Sequence, residues 1–200
     1  CGGTIKKLVD GGASVTLCIV TKAYTPEWTE AFIENRPKQV AKAAEILGID
    51  KVVFLDFPTV KLDTISQKEL NDAISKVVRE TAPDTLYIPH RGDINTDHRI
   101  VHESSLVAAR PAPGQSVRRI LAYEPLSETE WGVVPFLPTV YEDISKTVST
   151  KLDAMRVYES ELKEFPHPRS LESIEVLAKK RGTEVGARAA EAFMLVRDVR

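Results

Sequence analysis

The regular alternation of short apolar runs with amphipathic segments most constrains how this chain can fold. Four short runs, rich in β-branched and other apolar residues, are predicted to be buried strands: residues 14–20, 51–57, 84–90 and 118–124. Strand and helix repeat in units of about 30 residues, which is typical of parallel strands joined by right-handed crossovers. The sequence therefore predicts an α/β fold, with a Rossmann-like, doubly wound, mostly parallel sheet in a three-layer sandwich.

The segments between these strands carry apolar residues at helical spacing. Ser66 and Glu69 form a capping box at the start of one of them, and Pro37 is predicted to begin the regular part of another. The predicted helices are residues 4–10, 26–47, 66–80, 97–110, 146–163 and 170–181. We expect a single domain over residues 1–200, in which 125–200 form an irregular segment followed by C-terminal helices.

The composition excludes several classes of partner. With 27 basic and 29 acidic residues the formal net charge is −2, which gives no general attraction to nucleic acid or to an anionic membrane. No apolar run approaches the roughly 18 residues that a membrane span needs. The two cysteines, Cys1 and Cys18, do not make a disulfide framework, so a reducing, cytoplasmic location is the expectation.

The polar stretch that follows the third predicted strand contains the candidate site. In doubly wound sheets, ligands bind beyond the C-terminal ends of the strands. His98 and His102 are four residues apart and share a helix face, Asp97 could orient an imidazole, and neutral imidazole is a zinc ligand. The alternative is that Asp93 and Asp97 cap the helix, while the two histidines form a partly buried polar face.

The stretch "HRGDINTDHRIVHES" resembles the second motif of the PIG-L/LmbE-like zinc deacetylases, which remove acetyl from N-acetylglucosamine groups. Three other stretches resemble this family in the same order: "CGGTIKKLVDGGASVTLCIVT", "NRPKQVAKAAEILGIDKVVFLDFPTVKLDT" and "KLDAMRVYESELKEFPHPRSLESIEVLAKKRG". The resemblance covers nearly the whole chain. It implies a zinc-dependent N-deacetylase that acts on an N-acetylglucosamine-type conjugate by metal-activated water.

The resemblance assigns roles to individual residues. It implies that His98 is a ligand of Zn²⁺ or of another divalent metal, and that Asp97 orients the imidazole of the site. Many family members have a histidine that stabilises the oxyanion at the position of Asn95, and His90 is a further candidate for that role. The family's His-Pro-Asp-Asp motif, with two more zinc ligands and the general base, is not found in this sequence. We expect this motif, on the central first strand of the sheet, to lie upstream of Cys1.

The resemblance also indicates the partners. Arg36 matches an arginine that faces the family's substrate pocket, although a solvated helix residue before Pro37 is the alternative. Asp93 is the second candidate for contact with the amino-sugar substrate. Because the C-terminal helices of the family often mediate oligomers, a homo-oligomer is implied. The competing hypothesis is a non-catalytic, doubly wound domain that binds a glycoside or a protein partner.

Overall fold

The computed structural model describes residues 1–200 and contains six α-helices and six β-strands. The helices are α1 (Gly2–Asp10), α2 (Glu30–Leu47), α3 (Gln67–Thr81), α4 (Thr96–Ala108), α5 (Val148–Arg156) and α6 (Leu171–Thr183). The strands are β1 (Thr16–Lys22), β2 (Lys51–Pro58), β3 (Thr85–Pro89), β4 (Arg119–Tyr123), β5 (Val140–Asp143) and β6 (Ala190–Asp198). None of these helices is long and apolar enough to cross a membrane.

The strands lie in two sheets, where the sequence predicted one. β1 pairs with β2, and the other four strands follow the order β3-β4-β6-β5. β3 is parallel to β4, with Tyr87 opposite Leu121, whereas β6 is antiparallel to β4. Because parallel strands end at the same edge of a sheet, the loops that follow β3 and β4 leave the sheet side by side.

Capping residues explain where two of the helices begin and end. The Ser66 hydroxyl accepts a hydrogen bond from the Glu69 N–H at 3.2 Å, which confirms the predicted cap of α3. The prediction for α2 was wrong in one respect, because Pro37 lies inside this helix. The helix begins earlier, where the Thr29 hydroxyl accepts the Phe32 N–H at 3.2 Å, and it ends at Gly48 in a left-handed conformation.

The chain divides into two compact units, each assembled from three stretches. The first unit comprises Cys1–Leu17, Ala23–Val53 and Tyr141–Ala192. In this unit α5 contacts α1, α2 and α6. Two clusters of buried apolar residues lie in the first unit, Ala43, Leu47 and Ala154 in one and Ile144, Ala178 and Ala189 in the other.

A buried carboxylate holds the start of α1 in the first unit. Glu191 accepts hydrogen bonds from the N–H groups of Gly3 and Thr4 at 3.2 and 2.7 Å, and its Oε1 lies 2.6 Å from Lys151 Nζ. Burial alone would raise the pKa of Glu191, but the Lys151 ammonium and the Thr4 N–H outweigh it and hold that pKa far below its ordinary value. The ionised carboxylate therefore stabilises the helix start and the Lys151 ammonium together.

The second unit comprises Cys18–Lys22, Phe54–Val140 and Phe193–Arg200, and it contains the candidate site. α3 packs on α4 over a core that includes the fully buried residues Leu62, Leu70 and Ile120.

The prediction for residues 125–200 was incomplete. Two strands, β5 and β6, lie in this region, and α5 ends at Arg156 rather than at residue 163. The expectation of one domain over residues 1–200 stays a prediction.

Candidate metal centre

Three side chains of the second unit converge in one cluster. The Nδ1 atom of His98 lies 3.0 Å from an oxygen of Glu128 and 3.3 Å from an oxygen of Asp93. The ligand atoms of the three residues all lie within 4.8 Å of one another. Asp93 comes from the loop after β3, His98 from the first turns of α4 and Glu128 from the loop after β4. The parallel pairing of β3 and β4 therefore brings the cluster together.

Asp93 is fixed from two sides. Its Oδ1 accepts the Asn95 N–H at 2.8 Å, and its Oδ2 accepts the Thr129 hydroxyl at 3.0 Å. Only 1 % of its surface is exposed. Asp93 is therefore enclosed within the cluster, and its predicted contact with substrate stays a prediction.

Asn95 links the loop, the helix and the third residue of the cluster. Its side-chain oxygen caps α4 by accepting the Asp97 N–H at 3.0 Å. Its side-chain amide donates to Glu128 Oε2 at 3.3 Å. The predicted oxyanion donor is thus engaged with a carboxylate, and it orients Glu128 towards His98.

The electrostatics of the cluster suit a cation. Burial alone would lower the pKa of His98, but the carboxylates of Glu128 and Asp93 outweigh burial and raise it. His98 Nδ1 is buried, and although both carboxylates lie at ion-pair distance, neither forms a hydrogen bond with it in a favourable direction. A buried, unbonded imidazole nitrogen between two carboxylates fits a divalent metal ion, which would take the place of the imidazole proton.

The chemical types of the three side chains also suit a divalent metal ion. One imidazole nitrogen and two carboxylate oxygens form a ligand set that zinc accepts, and other divalent ions also bind such groups. Three protein ligands leave a coordination position free, as in catalytic zinc sites.

Asp97 lies away from the cluster, although it was predicted to orient His98. Its carboxylate accepts the Val60 N–H at 2.6 Å and the Leu62 N–H at 3.1 Å. Both oxygens therefore fix the loop between β2 and α3, while Asp93 and Glu128 contact the imidazole of His98. Val60 has a φ of 59°, which is strained for a β-branched residue, and the bond to Asp97 helps to hold it there.

The other two histidines of this unit, His90 and His102, are buried. His90 is only 3 % exposed, its Nε2 lies 3.3 Å from the Val134 carbonyl oxygen, and its ring packs edge-on against Phe136. The predicted role of His90 as an oxyanion donor stays a prediction. The His102 Nδ1–H donates to the Pro89 carbonyl at 2.8 Å, and burial lowers the pKa of His102.

Arg36 belongs to the first unit. Its guanidinium lies 4.8 Å from the centre of the Tyr158 ring and 5.9 Å from that of Phe32. One of its nitrogens lies 3.3 Å from Glu161 Oε1, and Glu161 is also bound by Arg169 at 2.8 Å. These contacts hold Arg36 in one orientation, and its predicted contact with substrate stays a prediction.

Sequence reasoning missed Glu128 and Thr129. Both follow β4 in a proline-rich stretch with no recognisable motif. A signal was nevertheless present. The rule that ligands gather beyond the C-terminal ends of parallel strands applies equally to the loop after β4, which contains both residues.

Comparison with known proteins agrees with this architecture. The chain is 28% identical over 169 residues to the uncharacterized deacetylase YaiS of Escherichia coli K12, covering 80% of this chain and 83% of that protein. It is also 28% identical over 210 residues to the diacetylchitobiose deacetylase of Thermococcus kodakarensis, covering 98% of this chain and 77% of that protein. The crystal structure of the conserved protein TT1542 from Thermus thermophilus superposes with a TM-score of 0.80 at 26% identity, over 100% of this chain and 89% of that one. The predicted α/β, Rossmann-like fold class is thereby confirmed.

The family model gives the most specific match. Residues 1–109, more than half of the chain, match the family described as PIG-L, GlcNAc-PI de-N-acetylase. This match includes β3 and the start of α4, and with them Asp93 and His98. The resemblance seen in the sequence is therefore confirmed, and the chain belongs to the PIG-L family of de-N-acetylases.

Proposed function

We propose that this protein is a divalent-metal-dependent hydrolase that removes the N-acetyl group from an N-acetylglucosamine-type conjugate. One observation carries the proposal, the buried and unbonded His98 Nδ1 between the carboxylates of Asp93 and Glu128, in a chain of a de-N-acetylase family. The deacetylase names of two relatives support the same reaction.

Asp93, His98 and Glu128 would hold the metal, and zinc is the ion that we propose. When bound, the metal would polarise the acetamide carbonyl and lower the pKa of a water molecule to about 7. The hydrogen bonds from Asn95 and Thr129 fix the carboxylate of Asp93, as supporting groups around metal ligands commonly do.

The exposure of the three side chains indicates the side from which substrate approaches. The side chain of His98 is 31% exposed and that of Glu128 is 19% exposed, whereas the side chain of Asp93 is fully enclosed. The open side of the cluster therefore lies at His98 and Glu128, and Asp93 closes its base. Substrate contact by Arg36, a cytoplasmic location and a homo-oligomer remain predictions from the sequence.

An acetate-release assay tests the proposal. The protein, loaded with Zn²⁺, should release acetate from N-acetylglucosamine conjugates such as N,N′-diacetylchitobiose, and His98→Ala should abolish the release. The matched control is His167→Ala, since His167 lies in the first unit and outside the cluster. The competing hypothesis of a non-catalytic binding domain predicts that a glycoside binds without acetate release. Release that survives His98→Ala would refute the metal role of His98.

A further inference from the structure

The loop that carries Asp93 and the segment that carries Glu128 touch through two glycines. A Cβ atom on Gly132 would lie 2.1 Å from the carbonyl oxygen of Gly92, far inside any normal contact. The obstructing atom belongs to the backbone, so it cannot swing away as the end of a flexible side chain can. Gly132 itself has a φ of −69° and a ψ of 148°, which any residue adopts. Close approach of two backbones, and not an unusual conformation, therefore requires glycine at this position.

The contact is equally tight from the other side. A Cβ atom on Gly92 would lie 2.5 Å from His90 Nε2, 2.6 Å from Val134 Cβ and 2.7 Å from the Val134 carbonyl oxygen. The hydrogen bond from Thr129 to Asp93 ties the same segment to the same loop three residues before Gly132. Residues 128–134 thus lie directly on residues 90–93, and the two backbones meet where Gly132 approaches the Gly92 carbonyl.

Glu128 depends on this contact for its place in the cluster. It sits four residues before Gly132, and it reaches His98 Nδ1 at 3.0 Å across the boundary between the segment and the loop. A shift of the segment away from the loop would lengthen this distance and weaken the ability of Glu128 and His98 to share a metal ion.

We propose that Gly132 is a positioning residue, whose contact with Gly92 clamps residues 128–134 onto the loop and thereby sets the metal affinity of the cluster. The inference rests on the metal site of the proposed function. It adds that metal affinity is controlled by a backbone contact between two residues that are not themselves ligands.

Titration with Zn²⁺ by calorimetry tests the clamp. Gly132→Ala should bind zinc at least about 10-fold more weakly than the wild type, the size of effect seen when groups that support metal ligands are lost. The matched control is Gly2→Ala, where the added Cβ would make only ordinary contacts of 3.5–3.7 Å. The control should keep the wild-type affinity. An unchanged affinity in Gly132→Ala would overturn the proposal.

A double-mutant cycle shows whether the effect runs through Glu128. In a Glu128→Gln background, Gly132→Ala should weaken zinc binding by much less than it does alone, because the ligand that the clamp places has already been lost. If the losses of zinc affinity caused by Gly132→Ala and Glu128→Gln simply add in the double variant, the proposal is overturned. If Gly132→Ala does not fold, Thr129→Val decides, since it keeps the side-chain shape and removes the donor to Asp93. A loss of zinc affinity that becomes much smaller in the Glu128→Gln background supports the clamp, because it then acts through the segment that carries Glu128. An equal loss in both backgrounds, or unchanged binding, overturns it.

A metal-free measurement separates this inference from the proposed function. The ring ¹⁵N resonances of His98 report the carboxylates beside Nδ1, so they should shift in Gly132→Ala and stay in place in Gly2→Ala. If the wild type binds no Zn²⁺, the proposed function loses its metal site, while the ¹⁵N shift still supports the clamp. Identical His98 resonances in Gly132→Ala and the wild type would overturn it.

Discussion

Replacement of Asp97 by asparagine should destabilise the loop between β2 and α3. The Asp97 carboxylate is 6% exposed and accepts two backbone hydrogen bonds, from Val60 at 2.6 Å and from Leu62 at 3.1 Å. Asparagine has one acceptor oxygen and turns an NH₂ group towards the second N–H, which leaves a buried donor without a partner. Loss of one hydrogen bond to a charged group costs about 1.5–3 kcal/mol, and the unpaired N–H brings the expected total to about 2–4 kcal/mol.

Urea unfolding followed by circular dichroism measures this difference, and hydrogen exchange localises it. The amides of Val60 and Leu62 should lose protection in Asp97→Asn. Asp63→Asn is the matched control, because Asp63 is exposed in the same loop, and its free energy of unfolding should change by no more than about 0.5 kcal/mol. If Asp97→Asn changes the free energy of unfolding by no more than the control does, or if the protection of the two amides is unchanged, Asp97 does not hold this loop in place.

Two further perturbations test the backbone strain and the buried charge. The free energy of unfolding, measured in urea, should be about 1–2 kcal/mol higher for Val60→Gly than for Val133→Gly. Both side chains are exposed, but only Val60 has a positive φ, which glycine adopts without strain. Equal effects would contradict the strain at Val60. Glu191→Gln should lower the free energy of unfolding by about 3–5 kcal/mol at pH 7, since it leaves the charge of Lys151 without its partner. The folded-state pKa of Glu191 is depressed, so this stabilisation is fully present above its ordinary pKa of 4.5 and is lost progressively as the pH falls from there towards the folded-state pKa. Between pH 7 and pH 3 the free energy of unfolding should therefore fall more for the wild type than for Glu191→Gln, and equal decreases would contradict the pairing.

Local sequence patterns predicted most of the helices and strands. The β-branched runs predicted the first four strands, and the Ser66 capping box marked the start of α3, because these signals act within a few residues. Pro37 misled the assignment of α2, since the helix is nucleated earlier, at Thr29, and continues through the proline. β6 was missed because it pairs with β4, some 70 residues earlier in the chain, and local periodicity carries no information about that pairing.

The candidate site was predictable in part. The Asp97-His98 pair pointed to the correct helix start, but sequence proximity made Asp97 the natural partner of His98. The fold instead turns Asp97 towards Val60 and brings Asp93 and Glu128 to the imidazole. Glu128 is 30 positions away from His98, and it enters the cluster through contacts distant in sequence, namely the parallel register of β3 and β4 and the hydrogen bond from Asn95.

The most direct test of this account is the stoichiometry of metal binding by the intact protein and its His98→Ala variant. Equilibrium dialysis against Zn²⁺, followed by elemental analysis, should give one zinc per chain for the wild type and for His167→Ala, and a loss of that zinc for His98→Ala. One zinc per chain in His98→Ala, bound as tightly as in the wild type, would contradict the claim that Asp93, His98 and Glu128 form the metal centre.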